Sequence, residues 1–342
     1  MSNTNKMDLL VCSHPGKFEY KQVDRPILTA NNAIIKIKRI GICGTDLHAF
    51  QGIQPFFEYP RILGHELSGE LVAVDNAPGF AAGDPVTFIP YVNCEDCIAC
   101  NNGKPNCCVN MKVCGVHIDG GMAEYLSIPS RLLVHGNGLS YDELALVEPL
   151  AIGVHGIRRA NITKNEFVLV VGAGPIGLAT MEFARIAGAR VIAMDIKENR
   201  LEFCREKLGF EHTVNALFDV EQQLKEITGG DMPTVVIDAS GSKQAINSAF
   251  GYMAHGGRLI LIGLQREEIS FSHPEFHKRE GTMMSSRNAT RVDFEHVIDC
   301  MKKGLVDPMN YITHRSDFRA LSTDFQTWLD PKSSVIKAMV TL

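Results

Sequence analysis

Residues 94–108 read CEDCIACNNGKPNCC and crowd five cysteines into a short stretch. Cys94, Cys97, Cys100 and Cys108 follow a C-x2-C-x2-C-x7-C spacing. Two-residue gaps let successive thiolates turn back onto one centre. Four sulfurs at about 2.3 Å suit tetrahedral zinc and leave no position for a substrate, so the expected site is structural. Asn101, Asn102, Gly103, Lys104, Pro105 and Asn106 are turn-formers that reverse the chain between the third and fourth ligands. Lys104 would also offset part of the negative charge that four thiolates leave around a dication. An iron–sulfur cluster could use the same thiolates, but the spacing lacks the ferredoxin patterns. Reduced, metal-free thiols are the other alternative. Cys107 adjoins Cys108, and the sequence leaves open which of the two ligates.

A second, mixed set lies to either side. GICGTDLHAFQG (41–52) holds Cys43, and PRILGHELSGE (60–70) holds His65 and Glu66. DELALVEPLAIGVHG (142–156) holds Glu148 within an apolar helical stretch, and Ser140 with Glu143 predicts a capping box at the start of that helix. Thiol, imidazole and carboxylate together suit a catalytic zinc, which takes three protein ligands and keeps a position for water or substrate. Each residue has a plainer reading. Cys43 could be packing, His65 a satisfied core histidine, Glu66 a surface acid and Glu148 a salt-bridge partner. An acid in an apolar stretch is costly unless it is paired or metal-bound, and the coincidence of all four beside a cysteine lobe favours metal.

Residues 166–195 read EFVLVVGAGPIGLATMEFARIAGARVIAMD. A buried-strand run, Phe167 to Val171, leads into G-x-G-x-x-G at Gly172, Gly174 and Gly177. Pro175 and Ile176 open a helix to about Ala187. A second strand, Arg190 to Met194, ends on Asp195. Strand, glycine turn, helix, strand and terminal acid make the dinucleotide fingerprint. Gly172 permits the tight turn, Gly174 the approach of backbone amides to a pyrophosphate, and Gly177 close helix–sheet packing. The helix N-terminus favours the phosphates. Asp195 is expected to accept both adenosine ribose hydroxyls and to repel a 2′-phosphate, which favours NAD over NADP. Lys197 and Arg200 could face the adenine or, in another pose, a phosphate. The plainer alternative is a βαβ turn without nucleotide.

Gly-Ile-Cys-Gly-Thr-Asp-x-His, Gly-His-Glu, the four-cysteine lobe and the glycine loop, in this order, resemble the zinc-dependent medium-chain dehydrogenases over nearly the whole chain. The resemblance implies a two-domain α/β fold: a GroES-like β-barrel catalytic domain and a Rossmann doubly wound parallel sheet. It implies that Cys43, His65, Glu66 and Glu148 hold a catalytic zinc or its water, with a structural zinc in the lobe. Whether Glu66 and Glu148 ligate together or alternate with water stays open. A glutamate at 148 fits the sorbitol-type branch. One thiolate with one carboxylate keeps the metal a harder Lewis acid than two thiolates would, suited to a hydroxylated substrate. By the same resemblance, Thr45 would contact the alcohol oxygen and His48 would pass its proton outward. A second proton route would use zinc-bound water with Glu148. Arg200, the Ile262–Gly263–Leu264 turn and the Ser286–Arg287–Asn288 turn would line the cofactor. Family members are homodimers or homotetramers.

The implied reaction is reversible, NAD-dependent oxidation of a secondary alcohol to a ketone. Sorbitol dehydrogenases carry a tyrosine where this chain has Ala49, which weakens the case for sorbitol itself. PFFEYPRILGHE, GVHIDGGMAEYLSIP and PEFHKREGTMMSSRNAT resemble bacterial sugar-acid 5-dehydrogenases acting on L-galactonate or L-gulonate. A sugar acid brings a carboxylate, for which Arg61, His277, Lys278 and Arg287 are candidate cations. Sorbitol, another polyol and L-threonine are the alternative substrates. A non-catalytic regulatory protein on the same fold is the alternative of another class, and a zinc-free quinone reductase is a further one.

The elements that must position these residues follow from pattern. Short alternating strands at Ala33 to Ile40, Gly69 to Val74 and Pro85 to Pro90 make residues 1–150 a β-rich domain. TVVIDASG (234–241), GRLILIGL (257–264) and GTMMSSRN (281–288) read as buried strands, with a helix over Asp219 to Ile227 between, so residues 151–287 form the nucleotide sheet. A helix near Val292 to Lys303 and a strand at Val335 to Leu342 return residues 288–342 to the first domain. The 342 residues suit two domains, and a net charge of −5 shows no nucleic-acid or membrane footprint. MSNTNKMDLL has no signal-peptide pattern and no apolar run approaches the ~20 residues of a membrane span. The expected location is the cytoplasm. In that reducing compartment the isolated Cys12, Cys114, Cys204 and Cys300 are read as inert packing.

Overall fold

The computed structural model describes residues 5–55 and 57–342. Phe56 and the first four residues of the MSNTNKMDLL reading lie outside them. The chain divides into two compact units, Met1–Glu148 with Thr290–Leu342, and Pro149–Ala289. The divisions expected from sequence stood at 150/151 and 287/288.

The first unit is built on the long strand Asn32–Ile42, whose alternation of isoleucines buries one face. Glu66–Val74 runs antiparallel beside it, and Lys337–Thr341 pairs on its other edge. Across the sheet the order is Leu133–His135, Pro85–Phe88, Glu66–Val74, Asn32–Ile42, Lys337–Thr341 and Ile312–Asp317, and Tyr125–Pro129 also pairs with Asn32–Ile42. The last strand therefore closes against the first unit although nearly 300 residues separate it from its partner. A separate ladder, Tyr91–Val92 with Lys112–Val113, forms the neck of the cysteine lobe.

The second unit is a six-stranded parallel sheet. Its order is His212–Asn215, Arg190–Asp195, Phe167–Val171, Val235–Asp238, Arg258–Leu261 and Thr282–Ser285. The order reverses direction of growth between Phe167–Val171 and Val235–Asp238. That switch point is where an open α/β sheet leaves a crevice at its carboxyl edge. Leu169, Val171, Ile192, Met194, Val236 and Leu259 pack into one core on a face of this sheet.

One sequence expectation is corrected. Ser140 does cap a helix with Glu143, but that helix is only Tyr141–Ala145, and Glu148 belongs to a second helix, Val147–Ala160. Pro149 is the cause. It has no N–H to give to the carbonyl of Ala145, and its ring would clash there, so one continuous helix cannot run through. The break places Glu148 in a first turn, where free amides favour a carboxylate. Among the described residues no helix is long and apolar enough to cross a membrane.

Candidate active site

Strand register assembles the mixed set. Gly41 pairs opposite Glu66, so the end of Asn32–Ile42 and the start of Glu66–Val74 bring Cys43 beside His65. A ligand atom from each of Cys43, His65 and Glu66 lies within 4.8 Å of the other two. A Cβ on Gly41 would stand 2.3 Å from Glu66 Oε2 and 3.0 Å from its Cβ, so a side chain there would displace the Glu66 carboxylate. Cys43 caps the helix Gly44–Gln51, which also carries Thr45, half-buried, and His48, exposed. Thr45 lies in the first turn of that helix and His48 in the second. Asp46, buried in the same helix, accepts the Cys43 N–H at 3.0 Å and the Gly64 N–H at 3.1 Å. It thus clamps the two backbones that present Cys43 and His65.

Two further residues reach the acids. Lys337, 1% exposed, donates to both Glu66 oxygens at 2.6 and 2.5 Å and to the Ile42 carbonyl at 3.1 Å. Tyr91, also buried, donates its hydroxyl to Glu148 Oε1. Burial and then the Glu148 charge hold the Tyr91 hydroxyl far above its usual range, so it remains a donor. Sequence reading missed Lys337, Tyr91 and Asp46. A lysine inside the apolar run VIKAMVTL was a signal for the first; Tyr91 had none.

The donor set suits a divalent cation. Glu66, Glu148 and Asp46 are all buried, and the buried Lys337 ammonium lies on Glu66; Glu148, expected from sequence as a fourth member, lies outside the group formed by Cys43, His65 and Glu66. Burial pushes Glu148 up to about 7, and Glu66 adds to the rise, against His65, Tyr91 and Lys337. Burial likewise raises Asp46. Burial lowers the His65 imidazole, but Cys43, Asp46 and Glu148 outweigh it and hold the ring well above its ordinary value. The crowding of anions is what a bound cation would relieve. Moreover, His65 Nδ1 is buried without a hydrogen-bond partner, 3.8 Å from Asp46 Oδ1.

The four cysteines of the lobe converge. Cys94, Cys97, Cys100 and Cys108 form one group, with Cys94···Cys108 sulfurs 3.4 Å and Cys97···Cys100 sulfurs 3.5 Å apart. Those separations are too long for disulfides and near the ~3.8 Å edge of a zinc–sulfur tetrahedron. Cys108 is buried and in the group, whereas Cys107 is exposed and outside it. The backbone amide of Cys100 leads the groups that lower Cys97, to about 6, and that of Asp96 leads for Cys94, while burial pushes Cys108 up to about 11. Ile98 and Val109 of the lobe are 72% and 68% exposed, so little apolar burial holds it together. Cys12, Cys114, Cys204 and Cys300 are buried singly.

In the second unit the glycine turn follows Phe167–Val171. Gly172 has φ +100°, and Gly174 caps the helix Pro175–Ile186, which Pro175 and Ile176 begin. A Cβ on Gly177 would stand 1.8 Å from the Gly172 carbonyl oxygen. Gly177→Ala is therefore expected to force turn and helix apart and weaken dinucleotide binding at least tenfold, about 1.4 kcal/mol, measured by titrating NADH fluorescence. Asp195 ends the adjacent strand. One of its oxygens accepts the Ala173 N–H at 2.7 Å and the other the Lys197 N–H at 2.9 Å. It braces the turn as well as offering its remaining lone pairs. Arg200 lies half-buried on Glu198–Glu206. Ile262 and Gly263 donate to the Asp238 carbonyl at 2.9 and 3.1 Å, and Leu264 beyond them is exposed. Ser286 is buried, Arg287 exposed and Asn288 left-handed at φ +54°. All follow strand ends at the carboxyl edge.

The carboxylate candidates fall apart into both units. Arg61 is in the first; its Nε is buried without a hydrogen-bond partner and its NH1 is 3.4 Å from Asp119. His277, Lys278 and Arg287 are exposed in the second, with Lys278 4.0 Å from Glu275.

Residues 29–137 match the alcohol dehydrogenase GroES-like domain, and residues 175–303 match the zinc-binding dehydrogenase domain. The chain is 43% identical to L-galactonate-5-dehydrogenase of Escherichia coli strain K12, over 98% of this chain and 99% of that protein. Its fold is similar to the NADH complex of RspB from E. coli CFT073, with TM-score 0.91 and 30% identity over 99% of this chain and 100% of that one. It is also similar to an NADP-bound zinc-binding dehydrogenase of Sinorhizobium meliloti 1021, with TM-score 0.90 and 26% identity over 98% and 99%. The architecture is thus a GroES-like unit joined to a Rossmann unit.

Proposed function

The chain belongs to the zinc-type medium-chain alcohol dehydrogenases, and on that premise we propose that it oxidises a secondary alcohol of a sugar acid, of the L-galactonate or L-gulonate type, to a ketone with NAD. The observation that carries the reading is the convergence of half-buried Cys43 with buried His65 and Glu66, one ligand atom of each lying within 4.8 Å of the others. When bound, zinc supplies the Lewis acidity that makes an alcohol acidic near neutral pH, and the nicotinamide accepts hydride.

The chain's own residues do the rest. Cys43 and His65 hold the metal with one or both of Glu66 and Glu148. Asp46 fixes the backbones that carry the first two. Lys337 keeps Glu66 oriented and its charge compensated. Thr45 receives the substrate hydroxyl, and His48, exposed on the same helix, hands its proton to solvent. Asp195 holds the glycine turn closed and leaves acceptor capacity for ribose hydroxyls, which favours NAD. Cys94, Cys97, Cys100 and Cys108 hold a second, structural zinc. Arg61, whose buried Nε has no hydrogen-bond partner, is the cation we assign to a substrate carboxylate.

Absorbance at 340 nm, with NAD or NADP and a panel of L-galactonate, L-gulonate, sorbitol and L-threonine, tests the proposal. The expected result is turnover of a sugar acid with NAD and weak turnover of sorbitol. Equal turnover of neutral polyols would sink the carboxylate assignment, and no turnover of any alcohol would favour a regulatory role. Light scattering on the eluted protein tests the expected homodimer or homotetramer.

A further inference from the structure

The cysteine lobe and Glu148 are joined by three consecutive residues. The chain leaves for the lobe along Tyr91–Val92 and returns along Lys112–Val113, and the two strands pair antiparallel as a short neck. Asn93, next after the neck, donates its side-chain amide to Cys100 Sγ at 3.5 Å, and the Cys94 N–H donates to Cys108 Sγ at 3.3 Å. Arg131 grips Asn93 from outside with two hydrogen bonds, both 2.9 Å. Two residues before Asn93, Tyr91 makes its contacts outside the lobe. It is 4% exposed, sits edge-on to buried Phe294 at 6.4 Å and gives its hydroxyl to Glu148. A two-residue strand has little stability of its own. Where Tyr91 stands therefore depends on what closes the neck: the Cys114 N–H on the Pro90 carbonyl at 3.0 Å at one end, and the thiolate cluster at the other.

We propose that Tyr91 is a positioning residue for Glu148, and that the cysteine lobe sets its position through the neck. The hydroxyl engages one carboxylate oxygen, Oε1, and so fixes how Glu148 presents the other. Glu66 is held differently, with both oxygens on Lys337. The two acids are thus not interchangeable, and the lobe acts on the chemistry as well as on the fold. This inference rests on the reading of Cys43, His65 and the acids as a metal centre.

The test uses the full-length protein loaded with Co2+, because zinc has no optical spectrum of its own. Tyr91→Phe keeps the ring and removes only the hydroxyl. It should bind metal at both sites, shift the visible band of the mixed-ligand site and leave the thiolate bands alone. It should lower kcat roughly 10- to 100-fold, the usual cost of losing a partner behind a metal ligand, with KM little changed. Asn93→Ala and Arg131→Met loosen the lobe while keeping all four thiolates. Each should shift the same band and lower kcat when Tyr91 is present, and do neither in the Tyr91→Phe background. An unchanged spectrum and kcat in Tyr91→Phe would overturn the positioning role. Equal effects of the lobe variants in both backgrounds, or none in either, would overturn the coupling. If the unsubstituted protein took up metal only in the cysteine lobe, the underlying metal-centre reading would fail instead.

Discussion

His65→Ala is expected to release the metal from the mixed-ligand site and to cut kcat/KM on the order of a thousandfold. The Lewis-acid contribution of a catalytic metal is several kcal/mol, and about 1.4 kcal/mol is a factor of ten. His65 supplies the one nitrogen in that set, and it is 6% exposed between Cys43 and Asp46. The other ligand atoms of that group are a sulfur and a carboxylate oxygen, so neither supplies a second imidazole. Elemental analysis should show the lobe still loaded, because its four thiolates form an independent group. NADH affinity should be unchanged, because the glycine turn belongs to the other compact unit. A His65→Ala protein with a full metal complement and near-normal turnover would refute the assignment of the centre.

Lys337→Met should destabilise the metal-free protein by about 3–5 kcal/mol, the usual cost of removing one partner from a buried ion pair. Methionine fills nearly the same volume, so the effect isolates the charge rather than a cavity. Glu66 is fully buried and takes both its short bonds from that ammonium. A zinc held by Cys43, His65 and Glu66 would compensate the same carboxylate in part, so the loss should be smaller with metal bound. Denaturant titration of both proteins, with metal and after chelation, measures the difference. A metal-free Lys337→Met protein within about 0.5 kcal/mol of the parent, the range of ordinary surface changes, would show that Glu66 does not depend on this partner.

How far each feature was legible in the sequence tracks how local its cause is. The glycine turn was readable because Gly172, Gly174 and Gly177 answer steric demands from atoms within a few residues, such as the Gly172 carbonyl against Gly177. The cysteine lobe was readable because ligand spacing sets which thiolates can share an ion. The strands and helices named for the nucleotide sheet were placed to within a few residues for the same reason, although the edge strand His212–Asn215 was not read. The cap at Ser140 is local as well. Where a local rule was overlooked, at Pro149, the reading joined two helices that the proline separates.

By itself, then, the sequence determined the two classes of ligand set, the dinucleotide turn and the alternation of elements that a Rossmann sheet requires. Only the tertiary structure decided how the acids are held. Lys337 meets Glu66 across 271 positions, and Tyr91 meets Glu148 across 57, through strand pairings far apart in the chain. It also decided that Asp195 grips the Ala173 amide and that Cys108, not Cys107, turns inward. Such contacts have no period and no spacing. They exist because a sheet brings distant edges together at one place, and a buried charge stays there only where the completed fold supplies its partner.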